Sequence, residues 1–224
     1  MMACQVNIRR SGTPVAAMQY PHSSRLRSPT LARLVRLAAC GCAAAVLGLA
    51  APAMGGEIEG VRFDDAARLG GKELPLNGTG VRAGFVIKGY VAALYLPERA
   101  RNATVVLGTS GPKRLQIRPL REVGPDDFIK SLNDGIRENH SELQRRMLAE
   151  RLAQLAQTMN QVGPARRGDI INIDFTPDHG TIVAVNGIPR GQPIPGEDFY
   201  QAVLRIFLGE HPVDRDLKRG LLGD

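Results

Sequence analysis

After its first 56 residues the chain has no cysteine: Cys4, Cys40 and Cys42 are the only three in the sequence. Residues 57–224 alone therefore have no disulfide, no thiol nucleophile and no thiolate metal ligand. The first 56 residues in turn lack Asp, Glu and Lys, and carry six arginines (Arg9, Arg10, Arg25, Arg27, Arg33 and Arg36). Taking those six from the 29 basic residues leaves 23 against all 22 acids, so the net +7 of the whole chain falls to +1 beyond residue 56. A duplex-binding protein needs a basic face that neutralises several phosphates. No stretch after residue 56 concentrates one sign of charge in that way, and nucleic acid is excluded as a partner. No cluster of His, Asp and Glu has metal-ligand spacing, so neither a metal nor another cofactor is expected. The most apolar run, "LAACGCAAAVLGLA" (37–50), has 14 residues, short of the roughly 20 that span a bilayer.

That run reads as an address. A basic stretch ending at Arg36, the apolar run and the small residues "APAMGG" (51–56) are the three parts of a secretory signal peptide. Cleavage after Ala53 or Gly55 fits, which predicts a periplasmic or secreted protein with no stable membrane span once the signal is removed. The basic part is long, and Met18 offers a second start. "LAAC" (37–40) stands before the apolar run, where a lipoprotein box stands after it, and Arg9-Arg10 lies too far upstream for a twin-arginine signal. The division is thus 1–56 as N-terminal extension and signal, and 57–224 as one domain large enough to bury its own core.

Within the domain, strand and helix signals alternate without repeats. "GFVIKGYVAALYL" (84–96) predicts a strand buried on both faces and broken or bulged at Gly89. "RLQIRPL" (114–120) alternates Leu115 and Ile117 with polar neighbours, as a half-exposed strand does. Ile171, Ile173 and Phe175 share one strand face, "TPDHG" turns the chain into "TIVAV" (181–185), and "NG" (186–187) turns it again. Pro125 with two acids opens a helix whose Phe128, Leu132 and Ile136 recur every four residues. Ser141 with Gln144 forms a capping box for the next, whose Leu143, Met147, Leu148, Leu152, Leu155 and Met159 predict one apolar stripe packed on the sheet. This order of elements is α+β.

In "AVLRIFLGEHPVDRDLKRGLL" (202–222) a helix is broken and restarted. Gly209 is expected to take the positive φ that ends a helix, Pro212 to stop its continuation and Asp214 to cap the next helix. His211 then reads as a turn histidine bonded to backbone or carboxylate, His179 as solvent-facing, and His140 as a residue of a helix junction.

This stretch closely resembles the C-terminal part of chalcone isomerases, where an apolar helix runs into Ile-Gly-Glu-His, a turn and Asp-Leu-Lys. "LNGTGVRAGFVIKGYVAALYLPE" (76–98) resembles their N-terminal signature. Together with "GPDDF" and the hairpin, the resemblance spans roughly residues 57–223 and is nearest to the bacterial secreted chalcone isomerase-like branch. It implies an open-faced β-sandwich, a large antiparallel sheet with helices layered on it.

The resemblance carries over unevenly to the pocket. In the plant enzymes an arginine attracts the phenolate of the substrate and hydroxyls polarise its carbonyl. That arginine corresponds to Arg82. Their strand threonine falls on Tyr90. Their helical Tyr and Asn fall on Asp127 and Asp134, or on Phe128 and Gly135 with a shift of one residue. A small polar residue and a Met fall on Ile206 and Phe207. One of five positions is kept, so no catalytic residue is assigned. The resemblance extends to fatty-acid-binding members, and Arg82, Tyr90, Phe128, Ile206 and Phe207 are the expected ligand-binding set: a guanidinium and a phenol for a carboxylate, and apolar walls for a tail. Three functions stay open: a noncatalytic binder of a small amphipathic carboxylate such as a fatty acid, an isomerase (intramolecular lyase) of the chalcone isomerase type, and a structural or partner-binding protein. Alternatively, Arg82 merely satisfies the carbonyls of "NGTG".

Overall fold

The computed structural model describes residues 56–83 and 88–224. The signal segment and the first residues of the 84–96 run lie outside the described residues. A short hairpin, β1 (Glu57–Ile58) and β2 (Val61–Arg62), precedes β3 (Ala66–Leu69), β4 (Lys72–Ala83) and β5 (Lys88–Tyr95). Helix α1 (Ala103–Gly108) leads to β6 (Lys113–Pro119), and α2 (Pro125–Asn139) and α3 (Glu142–Val162) follow. The chain then returns through β7 (Ile171–Thr176), β8 (Gly180–Val185) and β9 (Ile188–Ile194), and ends in α4 (Glu197–Leu208) and α5 (Arg215–Leu221). Strands β3 to β9 form one seven-stranded antiparallel sheet in sequence order. This is the α+β architecture that the resemblance implies.

The alternation of side chains sorts the sheet's two faces. From β5, Ala92 and Leu94, followed by Leu96 just past its end, join the large core beneath the helices, while Val91, Ala93 and Tyr95 join a smaller cluster with Phe63 and Leu74. This strand is buried on both faces, as its composition predicts. Its register slips between the Arg82–Tyr90 and Ala83–Lys88 pairs, leaving Gly89 as the bulge. Asn186 and Gly187 both take positive φ, 54° and 79°, which suits the tight turn joining β8 to β9.

The helices depart from expectation at three points. Leu143 and Met147 are each 69% exposed, so the α3 stripe begins only at Leu148 and runs through Leu155 and Met159. The capping box forms as predicted, but it starts the helix before the helix reaches the core. Gly209 has φ −68°, which any residue adopts. A glycine is needed because a Cβ there would collide with the Asn139 amide oxygen and lie 2.5 Å from the Arg205 carbonyl oxygen. Asn139 is the clamp on the break: it donates to the Gly135 and His211 carbonyls and accepts from the His211 N–H. Among the described residues the His211 ring makes no hydrogen bond, so the backbone of His211 carries the structural role expected of its side chain. His179 is exposed, with Nδ1 3.2 Å from Thr176 Oγ1, and His140 closes α2 against the Ile136 carbonyl. Finally, α2 packs against α3 and α4, and the space between α2 and the strands is left as a cavity.

Candidate functional site

The cavity encloses about 280 Å³ and is mostly apolar. Its position follows from the elements around it. Tyr90, Ile117 and Ile171 point to the helix side of β5, β6 and β7, and form part of its base. Phe128 comes from α2, and Val203, Ile206 and Phe207 from α4. Val213 enters from the break, where its N–H donates to the Ile206 carbonyl at 2.8 Å. The break therefore turns the chain tightly enough to place an apolar side chain in the wall.

All five residues singled out in the sequence, Arg82, Tyr90, Phe128, Ile206 and Phe207, line this one cavity. Arg82 and Tyr90 are direct cross-strand partners on β4 and β5. The guanidinium carbon stands 5.7 Å from the centre of the phenol ring, within cation–π range. Tyr90 has a pKa well above the ordinary tyrosine value, first because burial penalises the phenolate. The Arg82 charge opposes that rise and the Asp214 charge adds to it. The phenol is a neutral donor at any physiological pH.

Among the described residues Arg82 has neither an ion pair nor a hydrogen bond. Asp214, the acid that acts on Tyr90, is committed elsewhere. Its Oδ1 caps α5 by accepting from the Asp216 and Leu217 N–H groups, and its Oδ2 accepts from the Ala83 N–H at 3.2 Å. Nor does Arg82 satisfy the carbonyls of "NGTG". That part of β4 is tied instead by Asn77, which donates to the Ala100 and Leu221 carbonyls. Gly78 and Gly80 let α5 lie against β4, since a Cβ on Gly80 would stand 2.7 Å from the Leu217 carbonyl oxygen.

The cavity also has polar residues beyond the expected set: Arg121, Lys130 and Ser131, which the sequence reading missed, line it together with Asp127, a position the resemblance had pointed to. Lys130 pairs with Asp134 at 2.8 Å, and Arg121 has one long bond, 3.4 Å, to the Glu122 carbonyl. The signal available was their helical spacing on α2, which places 127, 130 and 131 on adjoining faces. Of the two alignments of α2, the shifted one puts Phe128 in the cavity; Asp127 also borders it, while Gly135 backs onto Ile206. Among the described residues no group of three His, Cys, Asp or Glu side chains could hold a metal ion.

With this geometry in view, the sequence model of the family described as chalcone isomerase-like matches residues 55–223. A solved structure of a fatty-acid binding protein of Arabidopsis thaliana has the same fold, with a TM-score of 0.55 and 16% identity, over 73% of this chain and 92% of that one. No curated protein sequence is significantly similar to this one.

Proposed function

The chain belongs to the chalcone isomerase-like family, and from that premise we propose that it is a noncatalytic binder of an amphipathic carboxylate such as a fatty acid. The observation that carries the reading is Arg82, a cation lining an apolar cavity with no protein carboxylate paired to it among the described residues. A carboxylate docked there would take the guanidinium fork with two parallel hydrogen bonds. The Tyr90 hydroxyl, kept protonated by burial, supplies a third donor. The apolar walls then take the tail out of water, the usual division of labour in a small-molecule site. The name of the Arabidopsis neighbour, a fatty-acid binding protein, supports the same choice.

Ring closure of a chalcone is disfavoured. Ile206 and Phe207 stand where the enzymes orient their substrate with polar groups, and each substrate polar group buried unpaired costs about 1–3 kcal/mol. A hydroxychalcone is expected to cyclise at its uncatalysed rate in the presence of the protein, followed by absorbance. The apolar run at 37–50 and the small residues that follow it support export to the periplasm or beyond, and with it membership of the secreted bacterial branch.

The test of binding is the melting temperature of the purified protein with and without a saturated fatty acid, since a ligand selective for the native state must raise it. Arg82→Met is expected to keep the fold and lose the rise. Tyr90→Phe is expected to reduce it by the value of one hydrogen bond, about 0.5–1.5 kcal/mol. A wild type that shows no rise with any fatty acid would overturn the reading.

A further inference from the structure

Exposure gives the cavity a direction. Arg121, Asp127 and Lys130 are exposed, and Arg82 and Ser131 half-buried, so these residues mark its mouth. Met159, Ile171, Ile173 and Val203 are buried and mark its floor. Arg82 stands on β4, while Ile171 and Ile173 stand on β7, three strands across the sheet. Neighbouring strands lie about 4.8 Å apart, so a tail running from the guanidinium to that floor has about 14 Å. With C–C bonds of about 1.5 Å, an extended alkyl chain advances roughly 1.25 Å per bond. The path therefore holds about ten to twelve carbons. The volume, about 280 Å³, lies just below the range of about 300–1,000 Å³ that ligand sites occupy, so the cavity is small for a ligand site.

The floor is closed by packed side chains. Met159, 3% exposed, comes from the last turns of α3. Ile206 is braced from behind by α2, where Gly135 is so close that a Cβ would stand 2.5 Å from Ile206 Cγ2. The side chain of Ile206 therefore cannot retreat toward α2 when a longer tail presses on it.

We propose that the site selects medium-chain carboxylates of about ten to twelve carbons, and that Met159 and Ile206 set the limit. Met159 ends the path and Ile206 fixes the wall beside it. The proposal rests on the fatty-acid reading of the cavity.

The test is calorimetric titration of the wild type with saturated straight-chain carboxylates of about 8 to 18 carbons. Each methylene that enters the cavity is expected to tighten binding about fourfold. The gain stops at about C10–C12, and C16 and C18 bind more weakly than C12. Met159→Ala is expected to move the break point up by about two to three carbons. Gly135→Ala, which touches the ligand nowhere but pushes Ile206 inward, is expected to move it down. Should either variant fold poorly, Ile206→Val removes one methyl from the wall and is expected to move the break upward by a smaller step. Affinity that keeps rising to C16, or a break that ignores the substitutions, would overturn the proposal while leaving the fatty-acid reading intact. Failure of every chain length to bind would overturn both.

Discussion

Arg82 owes its chemistry to what surrounds it: the Tyr90 ring at 5.7 Å on one side and, among the described residues, no carboxylate paired with it. In ligand-free protein its charge should therefore contribute little. Arg82→Met is expected to stay within about 1 kcal/mol of the wild type in urea unfolding, the value of an exposed cation–π contact. Removing a cation from a buried ion pair would instead cost about 3–5 kcal/mol, and a loss of that size would return Arg82 to a structural role. The tyrosines make a second prediction at this scale. Burial, as the first cause, raises the pKa of Tyr90 and of Tyr200, and pushes Tyr95 up to about 12 with help from the Asp64 charge. The folded state thus holds these protons above the pH at which the unfolded chain releases them, about 10. The stability so linked is fully present below pH 10 and is lost as pH climbs through 12. The urea midpoint should hold level on approach to pH 10 and fall beyond it, in step with phenolate absorbance; a level midpoint at pH 12 would contradict this. Arg82 and Tyr90 were legible in the sequence because a short glycine-spaced signature carries both. Lys113 was not. It is fully buried, 3.0 Å from Glu197 and beneath Phe175 and Tyr200, and all three partners lie at least 60 residues away.

At the scale of elements, β4 is the strand the sequence hid best. Pro75, Asn77, Gly78 and Gly80 are residues that strands disfavour, yet Lys72–Ala83 is the longest strand described. Its glycines serve the approach of α5, whose Leu217 and Gly220 carbonyl oxygens occupy the space where side chains would stand. Such a contact leaves no hydrophobic pattern to read. Gly80→Ala is expected to destabilise by the upper end of the 1–3 kcal/mol typical of overpacking, because the obstacle is backbone that cannot change rotamer. A midpoint in urea unchanged from the wild type would mean that α5 shifts freely along β4. The opposite error arose at α3. A stripe drawn from spacing alone included Leu143 and Met147, which lie before the helix reaches the core and face water. Periodicity gives a helix its apolar side but says nothing of where the neighbour begins. Helix α2 shows the same limit. Phe128, Leu132 and Ile136 do face inward, but whether they meet packed atoms or a cavity depends on how α3 and α4 hold the helix off the strands.

For the whole molecule, the fold and the proposed address meet at Gly56. The first described backbone bond runs from the Phe63 N–H to the Gly56 carbonyl at 3.0 Å, and β1 begins one residue later. Phe63, fully buried with Leu74 and Tyr95 in the smaller cluster, depends on that hairpin for its position. Cleavage after Ala53 or Gly55 would spare every one of these contacts. Cleavage beyond Phe63 would strip the cluster of a fully buried ring, a loss comparable to truncating a buried Phe, about 3–5 kcal/mol. Protein produced from Gly56 onward is accordingly expected to unfold in one cooperative step and to show the same fatty-acid stabilisation as exported protein, while one produced from Asp64 onward is expected to melt lower. In cells, the exported form should begin between residues 54 and 57. Mass spectrometry of the periplasmic and extracellular fractions checks this, and exported protein that still carries residues 37–50 would show that the apolar run is retained as part of the working molecule and not removed as a signal.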